Sequence, residues 1–266
     1  MRTWLFSLLW MLCCGSIGVV QATPIEPAKS ENTPHVVYLS LIIDDLGQTQ
    51  AGDSRALALP GPVTVAIMPD TPYATEFARE AHHAHKTVIL HMPMDPATGP
   101  YAWHPDLPIE ELEKRLNAAL KKVPYAAGIN NHMGSRMTAQ PQAMAWLVEE
   151  LQRRRLFLLD SRTSAQTVAA ASAQRINLAS VSRDVFLDDV RTTEAVTAQL
   201  DTAIQLAKKQ GSVVLIGHPY PVTLDVLERA LPRLKAQGIE WIELRQMIAL
   251  RGNQAMPAHG KNGVYR

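Results

Sequence analysis

The chain has 266 residues, 47% of them hydrophobic, with 26 Lys plus Arg against 25 Asp plus Glu. That is long enough for a sizeable core and too polar on average for a multispanning membrane protein. With charges so nearly balanced there is no basic excess to draw nucleic acid and no acidic tail, so net charge names no partner.

The opening residues, MRTWLFSLLWMLCCGSIGVVQATP, combine a positive Arg2, an apolar run from Trp4 to Leu12, and the small residues Val20 and Ala22 ahead of a polar stretch. This is the anatomy of a secretory signal peptide over residues 1–22, cut after Ala22. The alternative is a retained anchor, because the apolar segment approaches the roughly 20 residues needed to span a bilayer. Cleavage leaves no stable membrane span and an exported, periplasmic protein. Cys13 and Cys14 are the only cysteines. The mature chain is therefore expected to have no disulfide, thiolate metal site or cysteine nucleophile. Residues 23–35, with three prolines and no apolar period, read as a linker, and residues 251–266 as a loose C-terminal tail. The folded part is expected over residues 36–250, as one domain.

Within those limits short apolar runs alternate with amphipathic segments. VVYLSLII, PVTVAIM, TVILHM, AAGIN, RLFLLD, INLASV, SVVLIGH and GIEWIEL read as strands. Three helices are well marked. Ile109, Leu112, Leu116 and Ala119 fall on one face of the first, and Met144, Leu147, Val148 and Leu151 on one face of the second. Leu227, Leu231 and Leu234 do so in the third, which Pro232 should kink and Gly238 should end. Strand and helix in alternation, with continuously apolar strands, imply a mostly parallel sheet covered on both faces. A barrel and a doubly wound sheet both satisfy this pattern, and both place their chemistry at the C-terminal strand ends.

Those ends carry Asp44 and Asp45, His91, the run Asn130, Asn131 and His132, then Asp160, and finally His218. Aspartates and histidines meeting at one rim form the ligand set of a divalent metal such as zinc. The adjacent carboxylates can then divide the work, one binding the cation and the other remaining free as a base. Neighbouring residues on an extended backbone point opposite ways, so the chain must turn sharply for both to serve, and Gly47 permits that. By contrast His82, His83 and His85 read as a solvated helix surface, and Asp188 and Asp189 as the cap of a following helix.

The motifs LSLIIDDLG, HMPMDP, GINNHMGSRMT, FLLDSRT and IGHPYPVTL, in this order on strand ends, resemble the divergent polysaccharide deacetylases, within the NodB-like carbohydrate esterase superfamily. The resemblance implies a distorted (β/α) barrel of about seven parallel strands. It also implies roles: Asp44 as general base, Asp45 and His132 as metal ligands, and His218 as general acid. Two departures from the superfamily pattern stand out. Arg136 occupies the place of the second histidine of the usual pair, so His91 is the expected third ligand. The usual arginine and proline motif is missing, which leaves Asn131, Arg136, Asp160 and Arg162 as candidates to bind the substrate or orient the base.

The expected activity is a zinc-dependent removal of N-acetyl groups from an envelope amino-sugar polymer. The alternative is a non-catalytic envelope protein that holds a glycan or a protein partner on the same rim. Tyr101 and Trp103 offer aromatic rings for sugar stacking under either reading. A metal phosphoesterase is a weaker third reading, because no phosphate cradle accompanies the rim.

Overall fold

The computed structural model describes residues 36–255. The expected signal peptide and linker, and residues 256–266 of the expected tail, lie outside the described residues. The chain begins with strand β1 (Val37–Leu46), helix α1 (Gln50–Ala58), β2 (Thr64–Ile67), α2 (Ala74–His83) and β3 (Thr87–Met94). It continues with α3 (Ile109–Lys122), β4 (Gly128–Met133), α4 (Pro141–Arg154), β5 (Phe157–Asp160) and α5 (Ala169–Arg175). Two short strands follow, β6 (Ser180–Ser182) and β7 (Val185–Phe186), then α6 (Thr193–Gln210), β8 (Ser212–Gly217), α7 (Pro221–Ala230), β9 (Ile239–Trp241) and α8 (Leu244–Ala255).

All strand pairs are parallel, in the order β6-β5-β4-β3-β2-β1-β8-β7, with β9 joined to the start of β1. This decides between the two architectures left open by the sequence pattern. The sheet curls into a distorted barrel, and its outer strands β6 and β7 are consecutive in the chain. Only Arg183 and Asp184 separate them; the Arg183 amide donates to Asp160 of β5 and the Asp184 amide to Val214 of β8. One short segment therefore pairs with both edges and closes the curl. Counting it as a single strand and setting the short β9 aside leaves the seven strands of the expected barrel.

Two apolar layers hold the fold. The helices cover the outside of the sheet through Leu39, Leu41, Ile43, Val65, Leu90 and Leu215, which pack with Leu116, Leu147, Val148 and Leu227. The inside holds Ile42, Ala66, Ile89, Leu159, Val214 and Ile216, and α8 closes it with Leu244 and Met247. Burying each such side chain contributes about 1.5–3 kcal/mol, so strand faces on both sides of the sheet stabilise the barrel. α8 runs past the expected domain end at residue 250, because Arg251 is tied to Asp184 and Ser212.

The helix faces follow the 3.6-residue period, with one exception: Ile109, at the first position of α3, is 48% exposed. Pro232 does more than kink its helix. α7 ends at Ala230, and the stretch to Gln237 continues as 3₁₀ turns until Gly238, in the left-handed region, stops it.

Candidate active site

The two-residue period of the strands builds the site. On β1 the inward positions are Ser40, Ile42 and Asp44; on β3, Ile89 and His91; on β8, Val214, Ile216 and then His218. Asn130 and His132 of β4, and Ser161 just past β5, continue the same inward rows. Apolar residues therefore fill the interior at mid-height, and polar residues crown it at the C-terminal ends.

Asp45 has the wrong parity for this crown and reaches it by a backbone device. It lies in the left-handed region (φ 60°), where the register between β1 and β2 slips between Ile43 and Leu46. Aspartate tolerates this conformation better than most residues. The turn is thus made at Asp45 itself, with Gly47 (φ 99°) completing it; a Cβ on Gly47 would lie 2.2 Å from Thr71 Oγ1.

The centre of the site is a triangle of three atoms. Asp45 Oδ1 lies 2.9 Å from His132 Nδ1 and 3.2 Å from His91 Nε2, and the two nitrogens are 3.2 Å apart. Neither imidazole meets hydrogen-bonding geometry toward Asp45 Oδ1, so this buried oxygen is left without a donor. Zinc bonds of about 2.0–2.1 Å in tetrahedral geometry set donors about 3.3–3.4 Å apart, close to these separations. Asp45, His91 and His132 could therefore hold a divalent cation. Two imidazoles and one carboxylate suit zinc, and three protein ligands leave a position for water or substrate.

Two further groups flank the triangle. Asp44, 2% exposed, accepts from Asn130 Nδ2 at both carboxylate oxygens, 2.9 and 3.0 Å away, and lies 3.6 Å from His91 Nε2. On the other side His218 Nε2 lies 3.7 Å from Asp45 Oδ2, while His218 Nδ1 faces Asp188 Oδ1 at 2.9 Å. Asp188 also accepts from the His218 amide at 2.6 Å and from Thr223 Oγ1 at 2.8 Å, which fixes it under the ring. Phe186 and Tyr220 pack against the imidazole, with centroids 5.2 and 5.3 Å away.

Burial and charge oppose each other at this rim. Burial drives the Asp44 carboxyl above its ordinary range, and the positive charge of His91 and His218 offsets this only in part. Burial acts the same way on Asp45, but the His132 and His91 imidazoles beside it outweigh burial and hold it well below the usual carboxylate range. His91 is raised to about 9: burial disfavours its charged form, but Asp44 and Asp45 more than compensate. His218 is raised too, with Asp188 and the two site carboxylates overcoming its burial. A bound cation would satisfy the same carboxylates that here favour protons on the imidazoles.

The remaining candidates from the sequence stand further out. Arg136 is exposed and points to the neighbouring loop, its Nε 3.5 Å from Asp95 Oδ2, so the third corner of the triangle comes from His91 on β3. Asp160 accepts from the Arg162 amide, Thr167 Oγ1 and the Ala170 amide, which organises the loop after β5. Arg162 is exposed, and its carbonyl accepts from Arg183 Nη2 at 2.9 Å. Asn131 takes the Ser161 amide on Oδ1 and donates to the Met133 carbonyl, joining the loops after β4 and β5.

The structure corrects two expectations. Trp103 is fully buried, tilted against Trp146 with ring centroids 5.6 Å apart, and offers no face to a sugar. Asp188 does not cap α6, because Thr192 does so by accepting from the Ala195 amide, and this leaves Asp188 free to hold His218. Asn130, noted in the sequence only as a strand-end residue, and Asp188, read there as a helix cap, are the two that the structure adds to the candidate site. The signal for Asp188 was present in FLDDV, a second aspartate doublet just after a short strand; the threonines that follow it concealed the role.

Comparison with known proteins agrees with this architecture. The profile of the divergent polysaccharide deacetylases matches residues 41–248. The chain is 38% identical over 200 residues to the uncharacterized protein YibQ of Escherichia coli K12, covering 74% of this chain and 63% of that protein's length. Among solved structures, an uncharacterized protein from Agrobacterium tumefaciens superposes with a TM-score of 0.76 at 20% identity, covering 79% of this chain and 89% of the other. The catalytic domain of a peptidoglycan N-acetylglucosamine deacetylase from Eubacterium rectale superposes with a TM-score of 0.52 at 17% identity, covering 78% and 88%. At those identities the two structures speak for the fold, while the profile match spans most of the chain and includes every residue of the crown. The chain belongs to the divergent polysaccharide deacetylase family.

Proposed function

We propose that this protein is a zinc-dependent hydrolase that removes N-acetyl groups from an amino-sugar polymer of the bacterial envelope. The observation that carries the proposal is the donorless Asp45 Oδ1 between two imidazole nitrogens, with a buried carboxylate and an Asp-held histidine on either side. The substrate class is drawn from the family and from the name of the Eubacterium deacetylase. Export to the periplasm, expected from the N-terminal sequence, would bring the protein to such polymers.

Zinc at the triangle would acidify water and polarise the acetyl carbonyl. Asp44 takes the proton released as the carbonyl carbon is attacked. Its burial makes it a stronger base than an exposed carboxylate, and its two bonds to Asn130 aim it. His218 then donates its Nε2 proton to the departing amine. Its raised pKa keeps that proton in place to a higher pH than an ordinary histidine allows, and Asp188 stabilises the charged ring. The products are acetate and a free amino sugar.

The test is metal content of the purified chain together with acetate release from N-acetylated glycan fragments. Wild type is expected to carry one metal and release acetate. His132→Ala should lose both, and Asp44→Asn should keep the metal and lose about 10²–10⁴ in rate. Metal with no acetate from any such fragment would replace the hydrolase with a glycan-binding protein on the same rim. Unchanged turnover in Asp44→Asn would remove Asp44 from the role of base.

A further inference from the structure

We propose that Asn130 is a positioning residue that couples the base to the cation site, because a single orientation of its amide must serve Asp44 and His91 together. This deepens the hydrolase reading and rests on it for its catalytic consequence, but the geometry stands apart from turnover. Asn130 is fully buried. Its Nδ2 donates to Asp44 Oδ1 and Oδ2 and to Ser161 Oγ, 3.1 Å away, and its Oδ1 lies 2.8 Å from His91 Nδ1.

The chemistry of the neighbours permits only one arrangement. Both Asp44 oxygens lie within hydrogen-bonding distance of Asn130 Nδ2, so the amide nitrogen faces Asp44. The amide oxygen is then forced toward His91, and an oxygen there requires the proton on His91 Nδ1. With Nδ1 protonated, the lone pair of the neutral ring is on Nε2, the atom 3.2 Å from Asp45 Oδ1 and from His132 Nδ1. The orientation of one amide thus fixes both the aim of Asp44 and the nitrogen that His91 turns to the cation site. Second-layer partners of this kind orient metal-binding histidines and raise their basicity. Here the partner also aims the base: among the described residues no arginine is hydrogen-bonded to Asp44, and Arg183 spends its Nε and Nη2 on the carbonyls of Ser161 and Arg162.

Two substitutions separate the roles. Asn130→Asp keeps an oxygen for His91 Nδ1 but loses the donor toward Asp44, whereas Asn130→Leu loses both. Zinc titration of the full chain is expected to show Asn130→Leu weakened about 10–100-fold, with Asn130→Asp binding at least as tightly as wild type. Acetate release should fall in both. Equal zinc affinity in wild type and Asn130→Leu, or equal weakening in both variants, would overturn the coupling. Should Asn130→Leu fail to fold, the decision passes to Asn130→Asp and to the ring ¹⁵N signals of His91 in the metal-free wild type, measured with the ring neutral. A proton on Nδ1 supports the assignment; one on Nε2 overturns it. If the wild type binds zinc but releases no acetate, the hydrolase reading fails while the affinity comparison still decides the role of Asn130.

Discussion

Asp45 departs from its strand at a single backbone angle, and that departure sets which chemistry the rim can perform. In regular strand geometry its carboxylate would face the outer helices, among Leu41 and Ile43. Turned inward, it supplies an oxygen to two histidines and remains without a donor. The His91 and His132 imidazoles face this anion and hold it well below the usual carboxylate range, so it stabilises the metal-free fold, and removing it leaves buried positive charge uncompensated. Asp45→Asn keeps the size of the side chain and its tolerance of a positive φ. The expected outcome is a melting temperature below that of the metal-free wild type at neutral pH, together with zinc affinity lowered by at least about tenfold, since a neutral amide replaces the anionic ligand. Thermal unfolding and zinc titration on the same preparations check this. Retention of wild-type affinity would mean that the cation site is not centred on Asp45.

Strand periodicity makes most of the crown legible in the sequence. Counting by twos from Ile42, Ile89 and Ile216 leads to Asp44, His91 and His218, so the polar strand ends mark the site in the sequence itself. His91 was legible in this way even though the superfamily pattern supplies its ligand from elsewhere. The left-handed angle at Asp45 was not legible, because parity puts the residue outside and nothing in IIDDLG distinguishes a bulge from a turn at Gly47. Nor was the role of Asp188 legible from its doublet, since it depends on contact with His218, 30 positions away in sequence. The turn after β1 has its own support in α1. Asp53, 2% exposed, accepts from the Gly47 amide at 3.0 Å on Oδ2, while its Oδ1 has no partner. Burial pushes its pKa up to about 6, with the bond from Gly47 opposing this in part. Because the folded state holds this proton more tightly than the unfolded chain, the carboxyl is most favourable at low pH. Stability should fall as pH rises from about 4 through about 6, by at most about 1.4 kcal/mol per unit. Urea unfolding at about pH 5 and about pH 7 should show this slope in wild type and lose that component in Asp53→Asn. An identical slope in both proteins would assign the pH dependence to another group.

Over the whole molecule, the groups of the candidate site are divided between two arcs of one barrel. Asp44, Asp45, His91 and His132 stand on β1, β3 and β4, consecutive neighbours through β2 in the hydrogen-bonded sheet. His218 and Asp188 stand beyond β8 and β7, next to the seam where the curl closes. That seam is held by few groups. Arg183 Nε donates to the Ser161 carbonyl at 2.7 Å and Nη2 to that of Arg162, its guanidinium lies over the Phe186 ring, and Asp184 accepts from the Val214 amide and pairs with Arg251. Phe186 in turn packs against His218. Removing Arg183 should therefore loosen the acid while leaving the cation triangle in place. Arg183→Ala strips two carbonyls of a charged donor, at an expected loss of about 1–3 kcal/mol in unfolding free energy. Amide exchange should accelerate at β7 and at the edge of β8, the part of the sheet with the shortest ladder, and stay slow in β1 to β4. Zinc affinity should hold near the wild-type value while acetate release declines, because the triangle lies on the opposite arc. If the variant loses zinc in proportion to turnover, the two arcs are a single cooperative unit and the seam is no more than one edge of it.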